Sequence, residues 1–177
     1  MRLLNLYPFP EVITNRLLIR QLERNDALAI FNLRSNPLLN KYLDRTSMQT
    51  LEDATAFIFK INNGIKNNQW IYWAITLKDN SDLIGTICLW NFSNGNTVAD
   101  IGYELHPDFQ GKGYMSEALK IVLKYASETL SLTKIEAHTH PENIASKNLL
   151  LNNDFLLNQK IMEKKFSYLS IFERLLK

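Results

Sequence analysis

The chain holds one cysteine, Cys88, among its 177 residues. A lone thiol cannot build an internal disulfide framework. That fits a reducing compartment, and a cytoplasmic protein is the expectation. Histidine is nearly as scarce, with His106, His138 and His140 the full set. His138 and His140 fall on one strand face, but a zinc site takes three or four protein ligands, so no metal is expected. An excess of one charge is also missing: 20 basic residues stand against 18 acidic ones, a formal net charge of +2. This balance gives no electrostatic footprint for a direct nucleic-acid partner. No apolar run reaches the length of a spanning helix, so no membrane partner is expected. The opening MRLLNLYPFPEV is interrupted by Asn5, Pro8 and Pro10, with no small-residue cleavage site after it, unlike a secretory leader.

What is present is core-forming material. Apolar residues make up 46% of the chain, enough for a substantial core, and the length favours one domain spanning residues 1–177. TNRLLIRQL reads as a strand from about Arg16 to Arg20. Helical spacing follows through Ala27, Ile30 and Phe31 and stops before Pro37. A second helix carries the stripe Ala54, Phe57, Ile58 and Ile61. QWIYWAITL, DLIGTICLWN and TVADIGYELH, joined by short turn-forming segments, predict three antiparallel strands. From Gly113 to about Thr129 the period is helical, with Leu119, Val122, Leu123 and Ala126 inward. TKIEAHT then reads as a strand, ENIASKNLLLNN as a short helix, and DFLLNQKI with FSYLSIFERLL as a final hairpin. The order predicts a mixed α/β fold around one sheet, covered by helices.

Glycine is sparse, at 6 residues. Two of them nevertheless stand at alternate positions in HPDFQGKGYMSEALK, between a strand and a helix. Glycines permit tight turns and close approach of a ligand to the backbone. The amides of Gly111, Lys112, Gly113 and Tyr114 can then point at an anion at the helix start, with Lys112 adding a point charge. The residues alone leave a steric turn open as the other reading. No Gly-Lys-Ser/Thr triplet and no third glycine is present, so neither a Walker loop nor a dinucleotide fingerprint fits.

IGYELHPDFQGKGYMSEALK resembles the acetyl-coenzyme-A signature of the GCN5-related N-acetyltransferase (GNAT) superfamily, in which Gln/Arg, two residues, Gly, one residue and Gly/Ala follow in order. Gln110, Gly111 and Gly113 fit, and Met115 takes the last place. GKGYMS is similar to the version found in the ribosomal-protein alanine/serine N-terminal acetyltransferase branch. ITNRLLIRQLERNDA, LIGTICLWNF and PENIASKNLLLNNDF extend the likeness, with Asp154 at an expected glycine. The resemblance implies a single GNAT-like domain with a mostly antiparallel central sheet and a splayed parallel strand pair at the cofactor site. It implies that acetyl-coenzyme A lays its pyrophosphate on the Gly111–Tyr114 amides, and its pantetheine arm along the backbone from Tyr103 to Leu105, with Asn143 as a side-chain contact. An amine would attack the thioester directly, without an acyl-enzyme. The partner would be a protein N-terminus, plausibly ribosomal. A small-molecule amine such as a polyamine or aminoglycoside, or a non-catalytic acetyl-coenzyme-A sensor, are the alternatives.

An amine must be neutral to attack. At neutral pH an α-amine reaches that form at about 4 kcal/mol less than a lysine side chain. Glu104 is the candidate base: in DIGYELH it shares a strand face with Asp100 and Gly102 and lies nearer the expected thioester. Ser146 is implied by the resemblance to orient the sulfur or protonate the leaving thiolate. It lies three residues after Asn143, so both can serve one helix beginning, where a plain cap is the alternative. Tyr168 is an alternative acid, and Glu163 a nearby carboxylate of uncertain register. Cys88 reads as buried packing, not as a nucleophile. Trp70, Trp73 and Trp90 either line the amine pocket or pack in the sheet.

Overall fold

Both faces of the strand Ile71–Leu77 (β3) are buried, and this requires cover on each side. Ile71, Trp73 and Ile75 join one apolar cluster, while Tyr72 and Ala74 join another on the opposite face. The computed structural model, which describes residues 6, 8–93, 95–158 and 169–176, supplies that cover with helices. In chain order the elements are β1 (Val12–Ile13), β2 (Leu17–Gln21), α1 (Ala27–Ser35), α2 (Pro37–Asn40), α3 (Leu51–Lys66), β3, β4 (Leu83–Trp90) and β5 (Val98–Leu105). There follow α4 (Tyr114–Glu128), β6 (Lys134–Thr139), α5 (Ile144–Leu151), β7 (Leu156–Leu157) and β8 (Ser170–Leu175). The strands form one sheet in the order β1-β2-β3-β4-β5-β6-β8-β7. Neighbours are antiparallel except β5 and β6, which run parallel. The expected mixed, mostly antiparallel α/β sheet is the one that forms.

Helix α4 covers one face through Ala118, Leu119, Val122, Leu123 and Ala126. Helices α1 and α3 cover the other through Ile30, Leu33, Ala54, Ile58, Ile61 and Ile65. The start of α3 is fixed by a capping box, in which the Thr50 hydroxyl accepts from the Asp53 amide and Asp53 accepts from the Thr50 amide. Near its end the Trp70 indole lies so close to Gly64 that an added Cβ would come within 2.0 Å of it.

One element departs from expectation at Pro37. Helix α1 does end at Ser35, but proline does not stop the helical path. Asn36 accepts from the amides of Leu38 and Leu39, Pro37 takes the first helical position, and the short α2 begins. This turn carries Leu38, Leu39, Tyr42 and Leu43 toward the functional cavity.

The feature that makes a cavity is the incomplete pairing of β5 with β6. Their register runs only through Val98↔Lys134, Ala99↔Ile135 and Asp100↔Glu136. Beyond Asp100, β5 stays paired to β4 as far as Leu105, and β6 stays paired to β8 as far as Thr139. The two parallel strands therefore continue without each other, and the sheet opens between them.

Candidate active site

At this opening lies a cavity of about 560 Å³. Its walls come from both sheet faces: Tyr42 from the segment after α2, Glu104 from β5, Gly111 and Gly113 from the loop before α4, and Asn143 and Ser146 from the start of α5. Tyr103, Leu105, Gln110 and Tyr114 also line it. Of the cofactor-binding residues expected from the glycine-loop resemblance, together with Glu104 and Ser146, Lys112 alone is absent from the lining.

The glycine loop has the conformation its composition demands. Gly111 and Gly113 sit at φ +72° and +79°, the left-handed region that glycine enters without penalty. A Cβ built on Gly111 would meet nothing within 4 Å, so the loop presents open backbone there. Gly113 is the N-cap of α4 and has no side chain to satisfy the first amides of that helix. Gln110 acts from inside, its amide donating to the Leu105 carbonyl at 2.8 Å and pinning the loop to the strand end. Lys112 turns its ammonium to the Asp108 carbonyl at 2.8 Å. The cation beside the loop is instead Arg16, which sequence reading treated only as a strand start. Its guanidinium stacks 4.4 Å over Tyr114, donates to the Lys112 carbonyl and pairs with Glu117 at 2.7 Å.

Tyr103 and Glu104 are consecutive on β5, so their side chains leave on opposite faces. On the α4 face, the Tyr103 hydroxyl lies 2.9 Å from the Ser146 hydroxyl. Asn143 is the N-cap of α5, its side-chain oxygen accepting from the Ser146 amide at 3.1 Å. The cap reading is the one these contacts show: the oxygen serves the helix, and among the described residues the amide hydrogens of Asn143 have no partner.

On the other face, Glu104 is buried in a network that sequence spacing did not reveal. Arg45 donates to Oε2 at 2.7 Å. Arg34 at 3.4 Å, Thr86 at 3.3 Å and Tyr72 at 3.5 Å surround Oε1. Arg34 is held in turn over the Phe57 ring, at 4.2 Å from its centroid. Gly85 lets β4 approach this point, since a Cβ there would come within 2.5 Å of the Glu104 carbonyl. Each carboxylate oxygen has two lone pairs, so Oε2 keeps one beyond its bond to Arg45. Above the cavity, Tyr42 stacks on His140 with ring centroids 5.3 Å apart, bridging the segment after α2 to the end of β6.

The remaining candidates fall elsewhere. No tryptophan lines the cavity. Trp73 is buried and donates to the Pro10 carbonyl, Trp70 donates to the Ile61 carbonyl, and Trp90 lies at the exposed end of β4. Burial pushes the Cys88 thiol up to about 12, which keeps it protonated and unreactive. Met115 is buried in the core under the cavity floor. Asp154 adopts φ +60°, so aspartate takes the left-handed turn expected of a glycine. Asp100, Glu136 and His138 gather at the last paired position of β5 and β6. Tyr168 and Glu163 lie outside the described residues.

A mixed sheet split between parallel strands, with a glycine loop opening the following helix, is the arrangement that the resemblance to the N-acetyltransferase class implied. Residues 16–156 match the family described as Acetyltransferase (GNAT) domain, and the chain belongs to that family. It is 34% identical over 147 residues to the uncharacterized N-acetyltransferase YoaA of Bacillus subtilis, covering 83% of each chain. It is 31% identical over 96 residues to the alanine N-acetyltransferase of ribosomal protein uS5 from Escherichia coli, covering 54% of this chain and 50% of that one. Among solved structures, RimJ of Mycobacterium smegmatis in complex with a coenzyme A disulfide aligns with a TM-score of 0.76 at 20% identity, covering 90% and 81% of the two chains. The chain is a GNAT acetyltransferase that lies close to the ribosomal-protein N-acetyltransferase branch.

A first test concerns the loop. Gly113→Val places a β-branched residue at φ +79°, where such side chains are strained. Affinity for acetyl-coenzyme A should fall at least tenfold, roughly 1.4 kcal/mol, by calorimetry. Gly113→Asn, which tolerates positive φ, should lose less. Unchanged affinity in a folded valine variant would move the pyrophosphate elsewhere.

Proposed function

We propose that the chain transfers the acetyl group of acetyl-coenzyme A to the N-terminal α-amine of a protein, such as a ribosomal one, in the cytoplasm. The observation that carries this reading is the single cavity joining three parts: the glycine loop, the Tyr103–Ser146 pair on one sheet face and Glu104 on the other. The residues present fit coenzyme A. Open backbone at Gly111 and the uncapped start of α4 suit a pyrophosphate, and the unpaired edge of β5 beyond Asp100 suits an extended amide-bearing arm. When bound, acetyl-coenzyme A supplies an acyl group activated as a thioester.

The chain's own residues divide the remaining work. The Gly111–Tyr114 amides and Arg16 hold negative charge, and Asn143 offers amide hydrogens. Glu104 takes the proton that the amine must lose, through the free lone pair of Oε2 or through one water. Ser146 offers its hydroxyl to the sulfur as the carbon–sulfur bond breaks. Leu38, Leu39 and Leu43 give the acceptor an apolar wall, and the Tyr42–His140 stack frames its approach. The kinship with the uS5 alanine N-acetyltransferase supports an N-terminal acceptor.

The test is mass spectrometry of a peptide panel incubated with enzyme and acetyl-coenzyme A. One set carries free N-termini, a second has blocked N-termini and one lysine, and free polyamines complete the panel. Acetylation confined to the first set is expected. Preference for polyamines or lysine would overturn the α-amine assignment, and binding without any transfer would identify a sensor.

A further inference from the structure

We propose that Tyr103 is a positioning residue that sets the direction of the Ser146 hydroxyl, so that the serine proton faces the sulfur of the bound thioester. The proposal rests on the reading above, that coenzyme A occupies this cavity. Sequence reading gave Tyr103 only a backbone role, as part of a strand edge.

The geometry assigns a role to its side chain. The two hydroxyl oxygens lie 2.9 Å apart, and among the described residues neither has another hydrogen-bond partner. One bond between two hydroxyls leaves one proton uncommitted, and which one depends on the donor. A phenol donates a hydrogen bond more strongly than an aliphatic alcohol does. With Tyr103 donating, the Ser146 oxygen is occupied on its acceptor side and its own proton is free. Donation into Ser146 also polarises that remaining O–H, because linked hydrogen bonds strengthen one another.

Both partners are rigidly mounted. Tyr103 sits in register with Ile87 of β4. The Ser146 backbone is fixed by the Asn143 cap. A serine hydroxyl otherwise rotates freely, so a fixed phenol beside it removes a rotational choice at the reacting atom. Burial pushes the Tyr103 hydroxyl up to about 12, so it remains protonated and keeps donating across the working pH range. Glu104, the next residue, faces the opposite side of the sheet. Strand alternation thus separates the group that orients the proton at sulfur from the group that receives the amine proton.

A hydrogen bond to sulfur favours its ionised form, which gives a readout independent of turnover. The thiol of coenzyme A bound to the full chain is titrated by ultraviolet thiolate absorbance. Wild type, Tyr103→Phe, Ser146→Ala and the double variant are compared. Tyr103→Phe should raise the bound thiol's pKa by about one, a tenfold drop in ionised fraction at fixed pH. Ser146→Ala should do at least as much, and the double variant no more than Ser146→Ala alone. Coenzyme A affinity at a pH where the thiol is neutral should stay within about twofold, and turnover of Tyr103→Phe should fall about tenfold.

A wild-type titration in Tyr103→Phe would overturn the proposal. So would a shift in the double variant equal to the sum of the two singles, which would make the residues independent. A shift in Tyr103→Phe with none in Ser146→Ala would place the phenol itself at the sulfur, also against it. Failure of the wild type to bind coenzyme A would overturn the reading of the cavity and this proposal together, so the two failures are distinguishable.

Discussion

Replacing Glu104 by glutamine is expected to lower turnover about 10²–10⁴-fold near neutral pH, while also lowering the melting temperature. The two effects have different causes. Glutamine keeps the shape of the side chain but supplies no basic oxygen pair. It also presents an amide N–H₂ to at least one of two guanidiniums, Arg45 at 2.7 Å and Arg34 at 3.4 Å, which then lose a charged acceptor. Removing one partner of a buried ion pair costs stability because the other charge is left uncompensated. Arg45→Gln separates these contributions, because it breaks the same pair but leaves the carboxylate. It should lower the melting temperature comparably and keep more than a tenth of wild-type turnover. Raising the pH should partly rescue Glu104→Gln, since more substrate amine becomes neutral without help. For an α-amine the rescue should centre near pH 8, well below the lysine value of about 10.4. Equal losses in Arg45→Gln and Glu104→Gln, with no pH rescue, would make Glu104 a structural ion-pair partner and not a base.

Asp26→Ala should destabilise the fold by about 3–5 kcal/mol, the range for breaking a buried ion pair from one side. Both Asp26 oxygens meet the Arg20 guanidinium at 2.8 Å, and one of them also accepts from the Glu23 amide at 2.7 Å. The two side chains are only 9% and 6% exposed, so water cannot replace the lost partner. At roughly 2–4 °C per kcal/mol for a chain of this size, the melting temperature should drop by roughly 6–20 °C. Lys124→Ala provides the contrast. Its partner is Glu128 at 4.0 Å and both are more than 60% exposed, so about 0–1 kcal/mol is expected. A calorimetric loss under 1 kcal/mol for Asp26→Ala would show that the pair adds nothing. The loss also bears on the site, because Asp26 fixes the entry to α1 and α1 carries Arg34 to Glu104.

Features written in consecutive residues were legible before any coordinates. QWIYWAITL read as a strand of the sheet, and Gly111 and Gly113 as a tight turn before a helix. The spacing of Asn143 and Ser146 gave one helix start. Each is a local pattern, governed by backbone geometry within a few residues. The surroundings of Glu104 were not legible, because its partners lie 59 and 70 residues away in sequence and meet it only through packing of α1 and the segment after α2. The tryptophans stayed open between two readings for a related reason: an aromatic residue on a strand carries no local mark separating a cavity wall from a core. Two signals were available and unused. Asn36 followed by Pro37 is a cap and first-position pair that starts a helix, and the parity of Tyr103 against Glu104 places its hydroxyl on the Ser146 side.

The parting of β5 and β6 after Asp100 gives the two halves of this protein different freedom to change. On the proposed acyl-donor side, the main-chain amides of residues 111–114 and the free edge of β5 depend little on side-chain identity, unlike Asn143, Tyr103 and Ser146 beside them. On the proposed acceptor side, side chains from Arg34 to Arg45, a stretch that belongs to no strand, gather around Glu104 of β5. Under the proposed function, exchange of this dozen-residue stretch should change acceptor preference more than coenzyme A affinity.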